Sequence, residues 1–300
     1  MDYLGATNLI PGPNSTELAI EIGRDRAGWP GLIVAGVAFI VPAAIIVTIT
    51  AWAYVRFGNL PAALALFAGV KPVIIAIVVQ ALWRLGRTAV KTRWLGVVTV
   101  AAIVAVAAGV NELLVLLVAA VLSSLAVASG RLTANDRTGM VLPIGIFASA
   151  SRPRLGAALG AAVGVPTAVS LWTLFATFLK IGSVLFGSGY VLLAFLRADF
   201  VERLGWLTER QLLDAVAVGQ VTPGPVFTTA TFIGYVLGGI PGAVLATVGI
   251  FLPAFVFVAV SGPLIPRLRR SRLAGAALDG VNAASLGLMA VVTWQLGRAS

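Results

Sequence analysis

The sequence predicts an all-α polytopic integral membrane protein, built as an inverted-topology internal repeat whose helices are broken at Pro-Gly-Pro. Three observations predict it: the composition, the spacing of basic clusters between apolar blocks, and a long-range recurrence of Pro and Gly. Of the 300 residues, 59% are apolar and 11% are charged. The mean hydropathy is +1.02. An ordinary soluble domain carries roughly 25% charged residues, and apolar surface on this scale is hidden by lipid rather than by a folded core. The chain has no Cys and no His. That excludes thiol nucleophiles, thiolate or imidazole metal sites and His general bases, so no enzyme, metal site or cofactor is expected. The net charge of +10 is not a nucleic-acid signal, because the bases lie between apolar blocks, where the positive-inside rule places them.

A spanning helix needs about 20 mainly apolar residues. Spans are expected near 31–55, 62–83, 94–110, 113–128, 155–179, 242–263 and 274–296, with 181–196 and 211–237 apolar but broken by Gly, Pro and polar residues. Segment 140–150 is too short to span. Basic clusters orient the spans: Arg84, Arg87, Lys91 and Arg93 form one, Arg267, Arg269, Arg270 and Arg272 another, and Arg131, Arg137, Arg152 and Arg154 flank a third. All three are expected to be cytoplasmic, with Asn111 and Glu112 outside. The mixed-charge stretch Arg197 to Arg210 is expected to be an interfacial cytoplasmic helix or loop. Gly156, Gly160 and Gly164, and Gly238 with Gly242, read as small-residue helix packing.

The recurrence is specific. Pro11-Gly12-Pro13 returns as Pro223-Gly224-Pro225, an offset of 223 − 11 = 212. One residue of slip then pairs Pro30-Gly31 with Pro241-Gly242, Pro42-Ala43 with Pro253-Ala254, Gly69-Val70 with Gly280-Val281, and Trp83 with Trp294. The basic loops fall at opposite phases of the two copies, so the copies should lie in opposite senses, a hallmark of secondary transporters that bind substrate between their repeats. The organisation expected is a first, N-terminally incomplete repeat over 1–93, connecting transmembrane helices over 94–176, and a second repeat over 177–300. The stretch Phe178 to Leu212 finds no counterpart upstream of Met1.

Chemistry is expected where the helices break. Pro lacks an amide donor and Gly permits bends, so each Pro-Gly-Pro interrupts its helix. In lipid the freed backbone groups survive only in the protein interior or at a cavity. A helix restarting after the break aims its N–H groups there, which suits an anion. The substrate-binding candidates in the first copy are therefore Pro11, Gly12, Pro13, Asn14, Ser15 and Thr16, and in the second Pro223, Gly224, Pro225 and Thr228; a purely structural kink is the alternative. Glu17 is an intramembrane acid: it could carry a coupling proton or pair with Arg24 or Arg26. Lys71, near the middle of its span, could attract substrate, pair with a carboxylate or sit at a span edge. In Phe186-Gly187-Ser188-Gly189-Tyr190, Gly187 and Gly189 permit close backbone approach, as a second lining of the site or as helix packing.

At these residues the chain resembles the chromate ion transporter family. The string PGPNSTELAIEIGRDRAGWPGLIVAGVAFIVPA resembles the family's first-half motif, and FGSGYVLLAFLRADFVERLGWLTERQLLDAVAVGQVTPGPVFTTATFIGY its second-half motif. The resemblance covers most of 8–298 and adds Gln220 to the substrate-binding candidates. It implies a multi-pass protein of the cell inner (plasma) membrane that exports chromate or a similar oxyanion by secondary active transport. The partners implied are a small oxyanion (chromate, with sulfate as the related anion), the lipid bilayer, and a second copy in a homodimer; no nucleic acid is expected. Family members begin with a first-half copy of the FG motif, which this chain lacks. An inactive or interaction-only truncated homologue is therefore the alternative reading.

Overall fold

The computed structural model describes residues 14–58, 69, 76–87, 89–129, 169–185, 191–261 and 271–299. Among the described residues there is no strand. In chain order the helices are α1 (Asn14–Phe57), α2 (76–87), α3 (Arg93–Ala107), α4 (Glu112–Ala128), α5 (Leu171–Val184), α6 (Leu192–Leu196), α7 (Glu209–Val221), α8 (Thr229–Ser261) and α9 (Arg272–Ala299). A π-helix, Arg197–Arg203, continues α6, and a 3₁₀ turn, Val226–Thr228, leads into α8. Among the described residues, three helical stretches are long and apolar enough to cross a membrane: Ser15–Phe57, Val226–Val260 and Arg272–Gln295. Exposed Val244, Val248, Leu252, Val256 and Val260 run down one face of α8 at intervals of one turn. A soluble fold would bury such a stripe; lipid is its natural solvent. The protein is an all-α membrane protein, as its composition requires. The segment 140–150 and the glycines at 156, 160 and 164 lie outside the described residues.

Both long helices are hairpins. In α1 the backbone leaves helical geometry at Ala27 (φ −140°, ψ 19°) and Gly28 (φ 63°, ψ −142°). In α8 it does so at Gly238 (φ −145°, ψ 20°) and Gly239 (φ 60°, ψ −150°). The two turns share one conformation at an offset of 239 − 28 = 211, the register of the Pro and Gly pairs. The positive φ, with ψ far from the left-handed helical range, is accessible to glycine and to little else. Each turn folds its helix back on itself, and glycines make the close approach possible. A Cβ on Gly31 would lie 2.0 Å from the Gly23 carbonyl oxygen, and one on Gly242 2.1 Å from that of Gly234. Gly238 and Gly242 thus serve the turn and neck of one hairpin. Pro30 and Pro241 each stand two residues after the turn, where the second arm begins and its amides have no intrahelical acceptor.

The hairpins point in opposite directions. Ile20 and Leu32, on the two arms of α1, pack with Ala254 and Val258 near the end of α8. The Arg24 guanidinium donates to the Val258 carbonyl. Val258 lies 258 − 239 = 19 residues beyond the turn of α8, about 28 Å along a helix. The two turns are therefore about one hydrocarbon thickness apart, on opposite ends of the molecule. This is the inverted sense that the phases of the basic loops predict.

Around this pair the remaining helices form two flanks. Helix α5 packs beside the second arm of α8, where a Cβ on Gly182 would meet the Ile250 carbonyl oxygen at 2.3 Å. Helices α3 and α4 pack on α9: the Thr99 hydroxyl donates to the Ala283 carbonyl at 3.1 Å, and Gly280 faces Ala119 and Ser123. The end of α9 that carries Asp279 meets Lys91 at 2.8 Å, so the basic loop before α3 and the start of α9 share one face.

Candidate functional site at the second Pro-Gly-Pro break

The second motif breaks its helix as predicted. Helix α7 ends at Val221, Thr222 caps it in an extended conformation, and the chain resumes helical geometry at Val226. The break is the bend of a helical hairpin. Gly219 before it faces Thr229 after it, where a Cβ would lie 2.0 Å from the Thr229 hydroxyl. Further along the arms, Asp214 and Phe232 both reach Tyr54 of α1, by a 2.9 Å hydrogen bond and an edge-on ring contact. Gly224 has φ +132°, and a Cβ there would lie 2.5 Å from that of Ala43. The glycine is needed twice, for its conformation and for its approach to α1. Ala43 is the repeat partner of Ala254, which packs against Ile20 at the opposite end of the α1–α8 contact. The second break thus rests on the first copy.

A second hairpin stands beside this one. Helix α5 and the segment after residue 190 run antiparallel, with Phe178 stacked on Phe200 at 4.8 Å and Arg203 donating to Thr177 at 3.4 Å. The Gly187 and Gly189 candidates lie outside the described residues. A small cavity opens where the hairpins meet, lined by Val78 of α2, Leu192 and Leu193 of α6, Val216 and Gln220 of α7, Val226 and Thr229. Gln220 and Thr229 are its polar lining residues, the Thr229 hydroxyl donating to the Val226 carbonyl at 2.8 Å, and Val226 sits at a helix start, where backbone N–H groups lack intrahelical acceptors.

Of the sequence candidates, the structure gathers Gln220, Pro223, Gly224 and Pro225 at this break. Thr228 is fully buried and turns its hydroxyl onto the Pro225 carbonyl at 2.9 Å. It braces the break, as does its neighbour Thr229, which lines the cavity while its hydroxyl donates to the Val226 carbonyl. Pro11, Gly12, Pro13 and Lys71 lie outside the described residues, and helix α1 begins at Asn14, directly after the first motif. Ser15 is exposed. Thr16 and Glu17 are fully buried, and neither the Thr16 hydroxyl nor either Glu17 carboxylate oxygen has a hydrogen-bond partner among the described residues. The alternative pairing of Glu17 with Arg24 or Arg26 is not found among the described residues: Arg24 bonds Val258 and lies over the Trp29 ring. A buried carboxylate is costly unless a donor, a proton or a cation meets it.

Comparison with known proteins assigns the chain. The family model described as chromate transporter matches residues 1–124 and 172–300. The chain belongs to this family. It is 33% identical to the chromate transport protein of Pseudomonas aeruginosa, over 98% of this chain and 70% of that protein. It is 33% identical to the chromate transport protein of Cupriavidus metallidurans, over 95% of this chain and 69% of the relative. A probable chromate transport protein of Synechococcus elongatus is 30% identical over 99% of this chain and 74% of that relative. No solved structure matches. Membership points to a membrane transport protein rather than an enzyme.

The transporter also holds a polar cluster that sequence reasoning placed elsewhere. Arg197 and Asp199 are buried, while most of 201–210 is exposed or half-buried. Lys180 and Arg203 both pair with Asp199, at 2.6 and 2.8 Å. Arg197 pairs with Glu202, with Glu209 at 2.6 Å, and donates to Gln295 near the end of α9 at 2.6 Å. Glu112 lies within electrostatic reach of Lys180, Asp199 and Glu202. The 197–210 segment and the Glu112 loop therefore share one end of the molecule, away from the Lys91–Asp279 end, and cannot lie on opposite sides of a membrane. The positive-inside count misreads this stretch because its bases are neutralised by buried acids of its own.

Proposed function

We propose that the chain carries chromate, or a similar tetrahedral oxyanion, out of the cell by secondary active transport across the inner membrane. The observation that carries this reading is the second Pro-Gly-Pro break, which sits on α1 of the first copy and opens onto a cavity with Gln220 and Thr229. A helix start and the neutral Gln220 amide in a low-dielectric site favour an anion over a cation. By the repeat, Pro11 to Thr16 form the matching half of the site, with Gly187 and Gly189 lining it from the neighbouring hairpin. Lys71 supplies long-range attraction to a dianion. Glu17, buried without a hydrogen-bond partner among the described residues, is the group that takes up the coupling proton. The two repeats, 1–93 and 177–300, rock against each other about this site, with 94–176 as the connecting helices and sulfate as a competing anion. The names of the relatives support chromate as the cargo, and the inverted hairpins support alternating access.

Labelled chromate and sulfate, with an imposed proton gradient, test this in vesicles containing the protein. Gradient-dependent chromate movement that sulfate inhibits is the expected result; no movement of either anion refutes it. Replacing Lys71 by Ala is expected to lower chromate resistance of expressing cells several-fold, since a lost charge contact is worth about 1.5–3 kcal/mol. Unchanged resistance removes Lys71 from the site.

A further inference from the structure

Beyond one end of the cavity, an ion pair joins the two hairpins that line it. Helix α6 contributes Leu192 and Leu193 to its wall and α7 contributes Val216. Arg197 lies one turn beyond Leu193, and Glu209 two turns before Val216. Their pair, at 2.6 Å, thus bridges α6 and α7 one to two turns beyond the residues that line the cavity. Arg197 belongs to the hairpin that begins with α5, whereas Glu209 is the first residue of α7 and opens the hairpin that bends at Pro-Gly-Pro. The Gln295 bond ties the same guanidinium to α9.

Three features set this pair apart from ordinary packing. Arg197 is 9% exposed, and a buried ion pair contributes little net stability compared with apolar side chains of the same volume. The Arg197 Nε and the second Glu209 carboxylate oxygen are buried without a hydrogen bond, so this arrangement leaves charged groups incompletely satisfied. Arg197 also opens a seven-residue π-helix, a rare geometry found mostly at functional sites.

We propose that Arg197 and Glu209 form the latch of a gate between the cavity and the membrane face that bears residues 197–209. The pair holds α6 against α7 in the closed state, and the two hairpins part when it breaks. The inference rests on reading the cavity as the transport site.

The chain has no native cysteine, so a single reporter thiol is free of background. Val216→Cys places that thiol in the cavity wall, and a membrane-impermeant thiol reagent is added from the face bearing residues 197–209. In a Glu209→Gln background labelling is expected to be about tenfold faster, the effect of losing one charged hydrogen bond. The exchange Arg197→Glu with Glu209→Arg is expected to restore the slow rate. Rates are normalised to labelling of the denatured protein, and only variants that elute as folded protein are compared. Equal rates in all three backgrounds overturn the gate, as does fast labelling that the exchange leaves fast. Failure of the transport-site reading shows differently: chromate would give the reporter thiol no protection while the three rates still separate as expected.

Discussion

Helices α1 and α8 share a backbone and differ in chemistry. Their turns repeat the same φ and ψ at one offset, and their necks bring the same glycines to the same carbonyls. Their N-terminal ends have diverged. Helix α1 begins Asn14-Ser15-Thr16-Glu17, with a buried acid and a buried hydroxyl that have no partners among the described residues. The second copy begins Val226-Phe227-Thr228-Thr229, with both hydroxyls bonded to the backbone of the break. Geometry has been kept where a methyl group would not fit. Residue chemistry has changed where the two ends face different tasks, one neutral and lining a cavity, the other holding a titratable group.

The largest test of this comparison is steric. Gly31→Ala and Gly242→Ala each drive a Cβ to within 2.0 and 2.1 Å of a backbone carbonyl oxygen, which a flexible side chain cannot relieve. Each is expected to cost about 3 kcal/mol or more, seen as a large and similar fall in the melting temperature of the purified protein. A large fall for one and none for the other would break the equivalence of the hairpins. A functional contrast comes next. Glu17→Gln is expected to abolish the dependence of chromate transport on a proton gradient. Thr229→Val should leave that dependence in place and weaken apparent affinity several-fold, by about 1 kcal/mol. Equal loss of coupling in both variants would show that the divergence is not one of roles. The smallest effect is expected at the contact between copies: Tyr54→Phe removes the hydrogen bond to Asp214 but keeps the ring against Phe232. About 1 kcal/mol of stability should be lost, read as a shift of a few degrees; a much larger loss would make Asp214 a linchpin between α1 and α7.

Much of this architecture was legible because Pro and Gly act locally. The break at Pro223 to Pro225, the helix start at Asn14 and the register of Pro30 with Pro241 follow from what those residues permit in a backbone. Composition and the apolar blocks were enough for the membrane class. Contacts between distant segments were not legible. Tyr54 and Asp214 stand 160 positions apart, and nothing in either stretch announces the other. The Arg197–Asp199–Glu209 cluster reads as a solvated surface because its signs balance, although that balance is what allows burial. Gly238 and Gly242 read as an interface between helices, since a four-residue spacing of glycines fits a helix contact as well as the turn and neck of one hairpin. Thr228 and Thr229 could not be told apart without the 3₁₀ turn, which leaves both hydroxyls on the backbone of the break and only Thr229 against the cavity.

The glycine necks have a mechanical consequence. Where the arms of a hairpin meet with no space for even one methyl group, they have no slack to slide or splay, and each hairpin behaves as a stiff rod. Bending is then displaced to the ends of the rods. For α8 that end is the Pro-Gly-Pro segment, where the amide ladder is already interrupted and rotation breaks no further helical bond. Stiffness in one pair of glycines and compliance in one pair of prolines together make a lever with a defined fulcrum, and the fulcrum lies beside the cavity.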